Sequence, residues 1–256
     1  MNHPRRNSRR IRVITPVPVP PAAHPLFTAQ IPDGFVGPGI TLEFAFAREG
    51  GFFLDSYYDS ALASVFVLEA AQQAEAEGCD AVCVCTMTDT GLEAVRSRLK
   101  IPAVGAGMSS FLLACALGEH FSIITLWDRW IPPYKKNLRQ YGLLERLASA
   151  RHINTHPNLE ALLTGKEEVV FAALEQAARQ AIEEDGADVI VLGSTTMYQS
   201  HHYLSQRLAV PVVNPALAGV QACENLLNLS LTHSKTCYAA PEFNNDALLS
   251  AVPSRF

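Results

Sequence analysis

The sequence predicts an α/β protein of two similar lobes, each a mostly parallel sheet flanked by helices, related by a pseudo-two-fold axis with a cleft between them. Three observations lead there. Apolar runs of about five residues, short enough for strands buried on both faces, alternate with longer amphipathic segments, as βα units in a parallel sheet do. The pattern is written twice. Gly78-Cys79-Asp80-Ala81-Val82-Cys83-Val84-Cys85-Thr86 lies over Gly186-Ala187-Asp188-Val189-Ile190-Val191-Leu192-Gly193-Ser194, and Arg98-Leu99-Lys100-Ile101-Pro102-Ala103-Val104 lies over Arg207-Leu208-Ala209-Val210-Pro211-Val212-Val213. Length agrees, because 256 residues, 48% of them hydrophobic, make one globular unit or two small lobes.

Residues 1–10 carry Arg5, Arg6, Arg9 and Arg10 without apolar periodicity and read as a flexible basic tail. Ile11–Ile14 is a first strand, ended by Pro16, Pro18, Pro20 and Pro21, which lack ladder donors and fix φ. A loop-rich stretch to Gly39 leads to a strand over Ile40–Phe46 and a break at Gly50-Gly51. Further strands are predicted over 81–85, 103–104, 121–126, 189–192 and 212–213, with helices between them. The clearest helix, 166–184, puts Val170, Leu174, Ala177 and Ala181 on one stripe.

The formal charge of −5 and pI near 5.9 offer no global basic face, which disfavours nucleic acid and anionic membrane surfaces as partners. Small solutes are the expected partners. No apolar run approaches the roughly 18 residues of a spanning helix, and the N-terminus lacks the apolar stretch of a signal peptide, so the chain is expected in the cytoplasm. Six cysteines (Cys79, Cys83, Cys85, Cys115, Cys223, Cys237) are too sparse for a disulfide scaffold and read as reduced and mostly buried.

In open α/β sheets ligands sit beyond the carboxyl ends of the strands. Thr86-Met87-Thr88-Asp89-Thr90 and Ser194-Thr195-Thr196 stand there in the two repeats and would face one another across the cleft. Their hydroxyls, with helix N-terminal amides, could converge on an anion. The competing reading is local capping, clearest for Thr90 with Glu93 as a capping box. Cys85 adjoins Thr86, but strand alternation points neighbours to opposite faces. Val104-Gly105-Ala106-Gly107-Met108-Ser109 lacks the third glycine of a dinucleotide turn, and GxxxxGK[ST], HExxH and CxxC are missing. His152/His156 and His201-His202 have no third ligand at a recognisable spacing, so no metal and no cofactor is expected. His202, eight residues after Ser194, gives a weak Ser–His pairing. Trp127 and Trp130 read as packing with exposed edges.

Asp89-Thr90-Gly91-Leu92, Ile101-Pro102-Ala103-Val104-Gly105, Phe121-Ser122-Ile123-Ile124-Thr125, Tyr141-Gly142-Leu143 and Val191-Leu192-Gly193-Ser194 resemble, in order and spacing, stretches of the aspartate/glutamate/hydantoin racemase superfamily, most closely its hydantoin and allantoin racemase branch. The likeness runs from about residue 11 to 235. It implies a first lobe of 11–115 plus 217–236 and a second of 116–216, leaving 237–256 as a C-terminal extension. It also implies a cofactor-independent isomerase of amino-acid metabolism, expected as a homo-oligomer, in which two cysteines flank the substrate's α-carbon. Those two positions fall on Thr86 and Ser194, the pair that the internal repeat selects independently. Around them Thr15, Thr88, Thr125, Thr195, Thr196 and Asn214 are the expected substrate-binding residues. The family's asparagine turn after the first strand is Thr15-Pro16-Val17-Pro18 here, and two acidic positions are Met108 and Asn214.

A hydroxyl is a far poorer base at neutral pH than a thiol of pKa about 8.5. Three readings follow. The first is an enzyme racemising or isomerising a small carboxylate or a cyclic amide or ureido derivative of an amino acid. The second is a hydrolase or lyase on the same scaffold, with Ser194 or Thr86 as nucleophile or water-positioning group and loop amides as an oxyanion hole. The third is a binding protein for small anions that has lost the chemistry.

Overall fold

The computed structural model describes residues 8–156 and 167–251. Two four-stranded parallel sheets carry the fold. The first contains β1 (Arg9–Thr15), β2 (Ile40–Phe46), β3 (Ala81–Val84) and β4 (Ala103–Gly105) in the order β2-β1-β3-β4. The second contains β5 (Phe121–Thr125), β6 (Leu147–His152), β7 (Val189–Leu192) and β8 (Val212–Val213) in the order β6-β5-β7-β8. Register repeats as well: Val13 pairs with Cys83 in one sheet and Ile123 with Val191 in the other. Both central strands β3 and β7 are buried along their whole length, which is why they read as unbroken apolar runs.

The repeat has a physical purpose at each end of these strands. Asp80 accepts the Arg10 amide at 2.8 Å, and Asp188 accepts the Glu119 and His120 amides at 2.8 and 3.0 Å, so each aspartate fastens its central strand to the start of the neighbouring one. Pro102 and Pro211 keep their carbonyls in the ladder, accepting from Val82 and Ile190. At the carboxyl ends, the Cys85 amide donates to Ile14 O and the Gly193 amide to Ile124 O, both at 2.8 Å. The two turns that follow therefore leave equivalent points of equivalent sheets.

The α-helices among the described residues are α1 (His24–Thr28), α2 (Tyr57–Ala76), α3 (Leu92–Arg98), α4 (Ala106–Leu117), α5 (Ile131–Gln140), α6 (Phe171–Glu183), α7 (Tyr198–Ser205), α8 (Pro215–Leu229) and α9 (Ala247–Ser250). Helix α2 starts on the Ser56 cap and buries Ala63, Phe66, Val67, Ala70, Ala71 and Ala74 against β1, β3 and α3. Helices α4 and α8 are exchanged between the lobes. Phe111 and Ala114 of α4, which follows the last strand of the first sheet, pack on Phe121, Val189 and Val191 of the second. Ala216, Val220 and Cys223 of α8, which follows the last strand of the second sheet, pack on Val13, Ala81 and Cys83 of the first. The larger of these, such as Phe111 and Val220, contribute roughly 1.5–3 kcal/mol each when fully buried, so the lobes are joined through core rather than through a linker.

Several boundaries differ from the sequence reading. Strand β1 starts at Arg9: its amide donates to Gly39 O, and the Arg10 guanidinium pairs with Glu43 at 3.0 Å, so Arg9 and Arg10 belong to the sheet, whereas residues 1–7 lie outside the described residues. The helix expected over 166–184 opens with a 3-10 turn at Glu167–Val170, and Lys166 lies outside the described residues. The Thr90–Glu93 capping box does not form, because Gly91 in left-handed conformation precedes α3 and Thr90 bonds to Thr88 instead. Strand β6 was absent from the sequence reading altogether. Beyond α8, which already packs on the first sheet, the chain stays on the first lobe: Lys235 donates to the carbonyls of Arg96, Ser97 and Leu99, and Arg98 pairs with Asp246 at 2.5 Å. Among the described residues no helix is long and apolar enough to cross a membrane, and all six cysteines are free thiols.

Candidate active site

The loops at the carboxyl ends of both sheets close around a cavity of about 310 Å³. The first lobe contributes Thr15 to Val19, Phe52 to Leu54 and Cys85 to Thr88, and the second contributes Leu126, Trp130, Tyr134, His156, Val170 and Gly193 to Met197. The Phe52–Asp55 loop is tied across the gap, where Trp130 Nε1 donates to Phe53 O at 2.8 Å and Arg129 pairs with Asp55 at 2.7 Å. That loop and Trp130 give the cavity an aromatic wall.

Thr86 and Ser194 sit at the heart of two equivalent turns. Thr86 Oγ1 accepts the Thr88 amide at 3.4 Å and lies 3.1 Å from Thr88 Oγ1. Ser194 Oγ accepts the Thr196 amide at 3.3 Å and lies 3.0 Å from Thr196 Oγ1. Each hydroxyl thus closes an ST turn with the residue two positions on. The turns touch across the lobes, with Thr195 Oγ1 donating to Cys85 O at 3.2 Å. Further braces come from α5: Tyr134 donates to Gly193 O at 2.5 Å, and Asn137 donates to Thr88 O at 2.8 Å.

The described wall is short of ionisable groups. No Asp, Glu, Lys or Arg is among the described residues that line the cavity, whose titratable members are Cys85, Tyr134 and His156. Burial pushes the Cys85 thiol and the Tyr134 hydroxyl upward, so both hold their protons at neutral pH. Cys85 faces the cavity together with Thr86, contrary to strand alternation, because β3 ends at Val84 and the chain has already left the pleat. His156 stands against Trp127 and Phe53, with ring centroids 4.5 and 5.2 Å apart.

Of the predicted residues, Thr15, Thr86, Thr88, Ser194, Thr195 and Thr196 all line the cavity. Thr125 and Asn214 do not. Thr125 is fully buried against Gly193, and Asn214 caps α8, its Oδ1 accepting the amides of Ala216 and Leu217. The suggested Ser194–His202 pairing is not formed: His202 is exposed and bonds to Gln206 at 3.0 Å. The helix N-termini are set back from the two turns or already engaged. Helix α3 begins only at Leu92, and the first amide of α7, that of Tyr198, donates to Gln30 Oε1 at 2.9 Å. His152 lies on β6 and His156 in the following loop, and among the described residues no three His, Cys, Asp or Glu side chains gather as a metal site. The aromatic and aliphatic wall (Phe27, Phe53, Leu126, Trp130, Val170, Met197) was missed; its only sequence signal was the Trp127/Trp130 pair just after a predicted strand.

Two parallel-sheet lobes that exchange helices, with a ligand-sized cavity where their strand ends meet, define a two-lobe α/β scaffold suited to a small molecule. Known proteins give it a family. The model described as Asp/Glu/Hydantoin racemase matches residues 28–223, and the chain belongs to that family. It is similar to a hydantoin racemase of Pseudomonas sp. (strain NS671), 33% identical over 190 residues that cover 74% of this chain and 75% of that protein. A hydantoin racemase of Paenarthrobacter aurescens is 33% identical over 184 residues, covering 71% and 76%. The structure of allantoin racemase from Klebsiella pneumoniae superposes with a TM-score of 0.84 at 28% identity, covering 93% of this chain and 95% of that one.

Proposed function

We propose that the interlobe cavity takes an uncharged cyclic amide or ureido derivative of an amino acid, and that Thr86 and Ser194 face its α-carbon from the two lobes. One observation carries this reading: a pair of equivalent hydroxyl turns on the wall of a cavity whose described lining has no charged side chain. A free amino acid or dicarboxylate would find no Lys or Arg among the described lining residues to pair with its carboxylates, and burying an unpaired charge is costly. A ring of alternating C=O and N–H groups suits hydroxyls, since each donates one hydrogen bond and accepts others. The apolar wall leaves room beside the ring for a hydrocarbon substituent. The similarity to hydantoin racemases supports the substrate class.

The chemistry that fits these groups is polarisation of a carbonyl by hydroxyl and amide donors. Two-thiol proton exchange does not fit it, because the site holds hydroxyls at both positions and the buried Cys85 keeps its proton. Hydrolysis by an activated serine finds no support in the hydrogen bonds, which link Ser194 to Thr196 and to no His, Lys or carboxylate among the described residues. Isothermal titration tests the reading. 5-Benzylhydantoin should bind, aspartate and glutamate should not, and Ser194→Ala should weaken binding about tenfold, the worth of one hydrogen bond of about 1–1.5 kcal/mol. Tighter binding of the dicarboxylates, or parental affinity in Ser194→Ala, would overturn it.

A further inference from the structure

The turn that carries Thr86 is fastened by a carboxylate that does not line the cavity. Asp89 is buried, and its backbone is held at a left-handed φ of 48°, which few non-glycine residues adopt. Its Oδ1 accepts the Gly107 amide at 2.9 Å, and its Oδ2 accepts the Met108 amide and the Tyr141 hydroxyl, each at 2.7 Å. The amides belong to the first turn of α4, whereas Tyr141 follows α5 beyond β5. Glycines make room for this. A Cβ on Gly105 would lie 2.1 Å from Asp89 Oδ1, and one on Gly107 2.9 Å from Oδ2. At the other end, the Asp89 amide donates to Thr86 O at 3.3 Å, and the hydroxyls of Thr86, Thr88 and Thr90 form a chain at 3.1 and 2.7 Å.

We propose that Asp89 is a positioning residue that holds the Thr86 turn in register with the second lobe, so that ligand binding in the cavity weakens when its carboxylate takes up a proton. The inference rests on the site proposed above. The carboxylate accepts from all three partners, so the ionised form satisfies two amides and a hydroxyl at once, whereas a proton on it has no place beside the two amides and needs the Tyr141 hydroxyl to turn round and accept. Burial pushes Asp89 up to about 6, against the hydrogen bonds from Tyr141, Met108 and Gly107 and the nearby charge of Arg96. The other titratable neighbours are Cys83 on β3 and, beside Tyr141, Glu93 on α3. Cys83, through its hydrogen bond to Cys223 and its burial, and Tyr141, through burial, are both pushed upward and keep their protons in this range. If only the ionised form holds the turn, lowering the pH from about 7.5 to about 5.5 leaves about a quarter of the molecules competent and weakens apparent affinity about fourfold.

The test compares the parent, Asp89→Asn and Tyr141→Phe by titration with 5-benzylhydantoin at both pH values and by amide hydrogen exchange over residues 86–91. The parent should lose about fourfold in affinity at the lower pH. Asp89→Asn should be weaker at both and flat with pH, with faster exchange in this segment. Tyr141→Phe, which keeps the carboxylate but removes one donor, should move the midpoint to higher pH. A flat parent profile overturns the proposal. So does parental affinity and exchange in Asp89→Asn, or a pH slope retained in that variant, which would assign the dependence to a group other than Asp89. A parent that binds no hydantoin refutes the proposed site, while the exchange of residues 86–91 in Asp89→Asn still decides whether Asp89 holds the turn.

Discussion

Substitution of Gly193 by a residue only one methyl group larger should be costly. A methyl group there would lie 2.4 Å from Thr125 Cβ and 2.5 Å from Thr125 Oγ1, where relaxed carbon contacts are roughly 3.5–4.0 Å. Thr125 has no freedom to retreat, being fully buried at the end of β5, which is paired with β7 through Ile124 and Leu192. A shift of about 1 Å must then be shared by two central strand ends, and overpacking of that kind costs about 1–3 kcal/mol. For a chain of this size Gly193→Ala should lower the melting temperature by roughly 2–12 °C. Because Tyr134 bonds to Gly193 O and Ser194 is the next residue, hydantoin affinity should fall as well. Differential scanning calorimetry and titration read the two effects. The first lobe supplies the control: Cys85 makes the equivalent bond to Ile14 and already carries a side chain, so Cys85→Ala should be mild. A Gly193→Ala protein that melts within about 1 °C of the parent and keeps its affinity would refute this packing argument.

Two further outcomes follow from the site and from the C-terminal return. His202→Ala should leave hydantoin binding unchanged, since that imidazole is exposed and bonded to Gln206; a loss of tenfold or so would revive the serine–histidine pairing. His233 accepts the Ala103 amide at 2.8 Å, and burial together with the charges of Arg96 and Lys235 pushes it down to about 4. Its folded value lies below its unfolded one, near 6.5, so its contribution to stability is intact above about 6.5 and is lost as the pH falls toward about 4. Asp89, raised in the folded state, works in the opposite direction over part of that range. His233→Gln, which keeps an acceptor for Ala103, should therefore lose less melting temperature than the parent between neutral pH and about 4.5, and an equal loss would refute the assignment.

The parts of this molecule legible in its sequence are those whose burial is two-sided or whose chemistry is repeated. Strands β3 and β7 showed as apolar runs, and the turns at Thr86 and Ser194 showed because the repeat placed them at equivalent strand ends. Strand β6 was hidden because Leu147-Ala148-Ser149-Ala150-Arg151-His152 is a half-buried edge with weak strand formers. Arg9 and Arg10 looked like a tail because the partners that hold Arg10 in the sheet, Glu43 and Asp80, lie far along the chain. That Thr125 and Asn214 lie off the cavity wall has a geometric reason: a place at a strand end does not say whether the side chain turns to the cavity or, as here, to a neighbouring glycine or a helix cap. The aromatic wall depends on the Phe52–Asp55 loop docking on the opposite lobe, which no local pattern encodes.

The most direct test of the account is the fate of the α-proton of 5-benzylhydantoin in D2O, followed by proton NMR with and without protein. With hydroxyls at Thr86 and Ser194 and Cys85 protonated, the parent should exchange this proton no faster than buffer does. Thr86→Cys combined with Ser194→Cys should raise the rate above that background, because thiols near pKa 8.5 can hold and release the proton close to neutral pH. Rapid exchange by the parent, undiminished in Ser194→Ala, would contradict the account and move the reactive groups elsewhere in the cavity.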